Sequence, residues 1–216
     1  MVDATSNYPG SRASILVALG FLEMLDGELE SGRARMLEAK NLAEEIGVIM
    51  SLGAANWLGT AEHLVGDPAR AASVLAGWLE ILRRARASGY LASCVPLYAH
   101  VLVETGDLAM VEGLVAEGRA IAQIEDIDAQ VRWRLALAGL RQRQGRVREA
   151  VTLLAEAATL LRHTELLLLK IEVEIAMMSA AEESGDFDGT AAARQHALDL
   201  ATLKGSSALI SRITGA

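Results

Sequence analysis

Aromatic residues, proline and cysteine are all scarce in this sequence. Only 4% of it is aromatic, although 52% is hydrophobic. The apolar content is therefore Ala, Leu, Val, Ile and Met, which favours helices. Three prolines in 216 residues fit long helices as well. A single cysteine, Cys94, excludes an internal disulfide, and a reducing cytoplasm is the simplest compartment. Net basic charge is lacking too. The formal charge of −8 argues against direct nucleic-acid binding, which needs a basic surface. No apolar run is long enough for a membrane. The longest uncharged stretch, Ala87 to Val103, is broken by Ser88, Gly89, Ser93, Pro96 and His100. It falls short of the roughly 20 apolar residues a span requires. The start, MVDATSNYPG, has no basic and apolar regions of a secretory signal. Catalytic signatures are missing: there is no P-loop, G-x-S-x-G, H-E-x-x-H, dinucleotide fingerprint or paired-cysteine motif. Neither an enzyme nor a cofactor is expected, and no helix-turn-helix reader is seen.

What the chain does have is a period. Gly27, Gly66, Gly106, Gly145 and Gly185 are separated by 39, 40, 39 and 40 residues. Acids flank four of them, in Asp26-Gly27, Gly66-Asp67, Gly106-Asp107 and Gly185-Asp186. Glycine suits the left-handed residue that closes one helix, and an Asp after it can cap the next. Seven residues before each glycine stand Gly20, Gly59, Ala99, Ala138 and Met178. Twelve after stand Ala39, Trp78, Gly118, Ala157 and Ala197. Small residues dominate both sets, as two closely packed helices require. Two residues after each glycine, Leu29, Pro68, Leu108, Val147 and Phe187 supply an apolar plug. The clearest unit runs from Val131 to Arg162, with Ala138, Ala150 and Ala157 at the expected close approach. Pro96 either kinks its helix or marks a helix start near Val95. The domain reading is an extended or disordered segment 1–10, a repeat domain 11–204, and a tail or capping helix 205–216. That tail would set Leu209, Ile210 and Ile213 on one face.

This frame resembles a tetratricopeptide repeat over about residues 12–204. The unit is longer than the usual ~34 residues. Long units of this kind resemble the helical arrays of LuxR-type ATP-dependent transcriptional activators and bacterial multidomain adenylyl cyclases. The resemblance implies an all-α fold, a right-handed α-α superhelix of about five hairpins. It also implies that the first helix of each unit lines a concave groove. On that basis the groove-facing residues are Ser14, Val17, Phe21 and Met24, then Gly53, Asn56, Thr60 and His63. Ser93, Pro96, His100 and Val103 follow, then Arg132, Leu135, Gly139 and Gln142. Glu172, Ile175, Ser179 and Glu182 complete the set. The function implied is a non-enzymatic protein–protein interaction or signal-relay module of a bacterial regulatory protein, binding a peptide or protein segment. The alternative is an effector-sensing, small-molecule-binding domain of a transcriptional regulator.

The candidate partner-binding residues are Asn56, Thr60, His63, His100, Arg132, Gln142 and Arg143. His63 and His100 would face one groove from neighbouring helices. A metal site there is not expected, because it needs three or four ligands with supporting groups and Glu62 points about 100° from His63 on a helix. Arg132, Arg134, Arg141, Arg143, Arg146 and Arg148 crowd one hairpin. They read first as a solvated convex face, with contact to an acidic partner as the alternative. Asp186-Phe187-Asp188-Gly189 resembles a calcium loop only in part and reads as a helix cap. The first helix is apolar all round. Val17, Phe21 and Met24 form a stripe expected to drive self-association, or to meet earlier units of a longer array.

Overall fold

A computed structural model describes residues 9–215, and all statements concern these. Eleven helices and no strand occur among the described residues. They are α1 (Pro9–Leu25), α2 (Leu29–Ile46), α3 (Val48–Leu64), α4 (Pro68–Ala85), α5 (Ser88–Thr105) and α6 (Val111–Ile121). Then come α7 (Ile127–Arg143), α8 (Val147–Leu161), α9 (Leu167–Ser184), α10 (Phe187–Lys204) and α11 (Ser207–Thr214). The expected extended segment 1–10 lies mostly outside the described residues, but Pro9 and Gly10 already belong to α1.

Helix pairs α1–α2, α3–α4, α5–α6, α7–α8 and α9–α10 are the five hairpins, and each odd-numbered helix from α1 to α7 also touches the next odd-numbered one. The five turn glycines all take positive φ, from 72° at Gly145 to 90° at Gly27. That conformation is cheap only for glycine. At four turns the same two hydrogen bonds close the helix. At the last one, Gly185 N–H reaches Glu182 O and Asp186 N–H reaches Ala181 O. Asp67 and Asp186 then cap α4 and α10 through the backbone N–H groups of Arg70 and Gly189. The Asp186 carboxylate is thus committed to a helix cap. Asp107 caps nothing, since α6 begins only at Val111. Pro96 does not start a helix. It lies inside α5, and its ring packs against Gly118 of α6, where an added Cβ would come within 3.1 Å.

The small-residue frame is the contact line of each hairpin. Ala138, Ala150 and Ala157 are completely buried. In the first hairpin the backbones themselves meet. A Cβ on Gly20 would lie 2.8 Å from Gly32 O, and one on Gly32 would lie 2.6 Å from Gly20 O. The plug holds for Leu29, Pro68, Leu108 and Val147, which are half-buried, but fails at Phe187, which is 86% exposed. After α10 the chain turns toward α1 instead of adding a sixth hairpin, so no described element covers that ring.

The turn toward α1 also joins the two ends of the described chain in one core. Phe21, Met24 and Leu25 of α1 share one apolar core with Ala61 and Leu64 of α3, Ile171 of α9, Ala197 and Ala201 of α10, and Leu209 and Ile213 of α11. Ser206 caps α11 and its hydroxyl donates to Leu25 O, while the Ser207 hydroxyl donates to Asp26 O. The last unit therefore closes on the first two. The expected self-association stripe is used up inside the chain: Met24 and Phe21 are buried and Val17 is half-buried. Its physical driver, an apolar helix needing cover, is met by α2, α3 and α11. The apolar residues of α1 that stay exposed are Ile15, Leu19 and Leu22. Among the described residues no helix is long and apolar enough to cross a membrane.

Candidate functional site

Between these helices lies an open cavity of about 710 Å³. It is lined by odd-numbered helices, the α7 turn and Arg212 of α11. Of the expected binding residues, His63, His100, Gln142 and Arg143 line it. Val103, Leu135, Gly139, Ile175 and Ser179 line it as well, as the groove frame implied. Asn56, Thr60 and Arg132 do not. Thr60 is buried and its hydroxyl donates to Asn56 O at 2.7 Å, a bond within its own helix. Arg132 is mostly buried behind the cavity, with Nε donating to both carboxylate oxygens of Asp128 at 3.0 Å. In the fifth unit Glu172 lines it too, and only the last position is off by one residue: Glu183 lines the cavity, whereas Glu182 pairs with Arg194 at 3.5 Å.

The cavity floor is a charged cluster drawn from four helices. His63 of α3 is 2% exposed. Its Nδ1 lies 3.1 Å from Glu104 Oε2 of α5, and its Nε2 lies 3.1 Å from Glu172 Oε2 of α9. Arg212 of α11 donates through one NH2 group to Glu104 Oε1 at 3.0 Å and through the other to the His63 carbonyl at 2.7 Å. An Arg132 NH2 group stands 3.9 Å from Glu172 Oε2. The His100 ring packs edge-on against His63, with centroids 5.0 Å apart. It forms no hydrogen bond among the described residues, its nearest acid being Glu104 at 3.8 Å. Glu172 Oε1 is buried without a partner among them.

These neighbours set the charges. Burial opposes protonation of His63, but the hydrogen bonds to Glu104 and Glu172 outweigh it and raise the imidazole to about 9. Burial and then the neighbouring His63 cation depress His100 to about 4. Burial pushes Glu104 upward, yet the His63 hydrogen bond and the His63, His100 and Arg212 charges bring it down to about 2. Glu172 is likewise raised by burial and then lowered to about 2, chiefly by Arg132 and His63. At neutral pH the floor is thus an imidazolium between two carboxylates, beside a neutral imidazole.

His63, His100 and Glu104 can each offer a metal ligand atom, all within 4.8 Å of one another. Glu62, the acid weighed in the sequence, is elsewhere. It accepts hydrogen bonds from Arg33 at 2.7 to 3.2 Å and ties α2 to α3. Cys94 is buried and its thiol is pushed up to about 12 by burial, so it is no nucleophile.

The Arg-rich hairpin is largely paired internally. Arg134 stacks over Trp133 at 4.1 Å and meets Glu156, and Arg146 meets Glu149. Arg141 bonds Gln144. Only Arg143 combines a place at the cavity with no ion pair or hydrogen bond among the described residues. The sequence pointed to His63, His100 and Glu172 through the groove frame. It carried no signal for Arg212, which arrives from beyond the last repeat.

The chain matches no protein-family model, no curated protein and no solved structure.

Proposed function

We propose that this chain is a non-enzymatic binding domain that holds a compact polar effector in its concave cavity, as a sensing unit within a regulatory protein. The single observation carrying this reading is closure. With α11 bridging the last unit to the first two, the odd-numbered helices surround an open cavity of about 710 Å³, which favours a compact ligand over an extended segment. That volume falls in the range of small-molecule sites. The lining mixes apolar Val103, Leu135 and Ile175 with Gln142, Ser179, Arg143 and Glu183, which suits a ligand bearing both charge and apolar surface. The charged floor supplies fixed dipoles but no nucleophile paired with a base. This order reverses the expectation from the sequence, in which a peptide or protein segment came first.

The test is a thermal-shift panel of amino acids, nucleotides, sugars and short peptides against the parent and Gln142→Ala. A ligand of this site raises the parent's melting temperature and raises that of the variant less. If no compact ligand shifts the parent while a protein partner is captured stoichiometrically, the peptide reading replaces this one.

Contact with other proteins falls to a different surface. Ile15, Leu19 and Leu22 are exposed at helical spacing on α1, an apolar stripe of the kind that marks interfaces. Self-association through the N-terminal unit stays in the proposal on this stripe. Light scattering over a concentration series checks it: Leu19→Glu keeps the chain monomeric where the parent dimerises. A monomeric parent at high micromolar concentration removes the idea.

A further inference from the structure

We infer that His63, His100 and Glu104 form a binding site for a divalent ion of the imidazole-preferring class, zinc foremost, at the floor of the concave cavity. Three observations carry it. The three residues come from α3 and α5, and their ligand atoms lie within 4.8 Å of one another, close enough to converge on one ion. His63 is already held as a ligand: Glu172 Oε2 takes its Nε2 at 3.1 Å, leaving Nδ1 directed at Glu104. Metal-bound histidines are commonly oriented in this way by a carboxylate on the far nitrogen. Arg212 similarly holds Glu104 Oε1 at 3.0 Å and leaves Oε2 facing His63.

His100 supplies the second motive. Its ring lies in the floor without a hydrogen bond among the described residues, a cost that an ion would remove. Two imidazoles and one carboxylate suit zinc rather than magnesium or calcium, which prefer all-oxygen shells. Both the His100 and Glu104 side chains border the cavity, so a fourth position stays open to water or to a ligand. On binding, the ion takes the place of the proton that bridges His63 Nδ1 and Glu104 Oε2, and that proton leaves to solvent. The inference goes beyond the effector reading, because an ion can bind with the cavity otherwise unfilled.

The experiment uses the full chain after chelator treatment, titrated calorimetrically with zinc chloride alone. The expected result is one ion per chain, with His100→Ala and Glu104→Gln each at least tenfold weaker and His163→Ala, a surface control, unchanged. Cobalt(II) in the parent then gives the intense visible bands of a four-coordinate site, and magnesium gives no heat. Circular dichroism confirms that the variants fold. If either fails to fold, the other and the cobalt spectrum decide. Absence of stoichiometric zinc binding overturns the proposal. So does zinc binding that His100→Ala and Glu104→Gln leave unchanged, since the ion then sits elsewhere.

Discussion

Two kinds of buried contact hold the units of this protein together, and they differ in chemistry and in number of copies. Within each hairpin the contact is apolar and repeated: small residues at fixed distances from a turn glycine let two helices approach. Around α11 an apolar core is joined by a polar cluster that the hairpins do not repeat: His63, Glu104, Glu172 and Arg212 from four different helices. The repeated contact tolerates drift, as Trp78 and Met178 in small-residue positions show. The polar cluster has no such latitude. Each member neutralises another away from water, and removal of one leaves its neighbours short of a partner.

Breaking the polar cluster should therefore have the largest effect. Glu172→Ala removes the acceptor of His63 Nε2 and one of two partners of Arg132, leaving each buried cation a single carboxylate, Glu104 and Asp128 respectively. Breaking a buried pair in this way costs about 3–5 kcal/mol. Urea unfolding measures it, and a change below about 1 kcal/mol would mean the cluster is solvated.

Next comes the pH dependence of the ion-free protein. His63 is raised to about 9 in the folded state, so its stabilisation is fully present below its ordinary 6.5 and is lost as pH rises through 9. His100 is depressed to about 4, so stability is lost as pH falls from 6.5 through 4. Glu104 and Glu172 add losses as pH falls from 4.5 through about 2. Burial opposes the Arg132 charge, but Asp128 and Glu172 outweigh it and raise the group above its ordinary value, so it stays charged throughout. Stability should peak near pH 6.5, and His63→Gln should flatten the alkaline limb specifically. Chemical denaturation at a series of pH values checks this. An alkaline limb that persists in the variant assigns it to another group.

The repeated contact predicts smaller losses. Ala150→Leu inserts three carbons into a completely buried line and should cost about 1–3 kcal/mol by overpacking. Gly20→Ala should cost a similar amount, because its Cβ would meet Gly32 O at 2.8 Å and Met36 Cγ at 2.6 Å. Ala150→Leu without effect in urea melts would show that the α7–α8 line can open without cost.

The same contrast explains what the sequence disclosed. Repetition is a signal. Five glycines and their small partners marked the five hairpin turns, and the groove frame that the repeat resemblance implies named most of the cavity lining. Closure has no period to announce it. Arg212 lies outside the repeats, and its partners include two backbone carbonyls that no side-chain pattern marks. Phe21 and Met24 were legible as apolar residues needing cover. Part of what covers them, α11, comes from outside the repeats.

The smallest effect on stability distinguishes two arginines that the sequence treated alike. Arg132 and Arg143 are both candidate partner-binding residues of one Arg-rich hairpin. They are not equivalent. Arg132 is mostly buried, holds Asp128 with both of its oxygens, and faces Glu172, so Arg132→Glu sets three carboxylates together and should unfold the chain. Arg143 is exposed, ends α7 and has no ion pair among the described residues. An exposed substitution of that kind shifts stability by about 0.5 kcal/mol or less. Its charge nonetheless borders the cavity. If the effector carries a carboxylate or phosphate, Arg143→Glu should weaken it markedly and abolish the salt dependence of its binding, at an unchanged melting temperature. Equal affinity for parent and variant at low salt would place the ligand's anionic end, if it has one, away from the α7 turn.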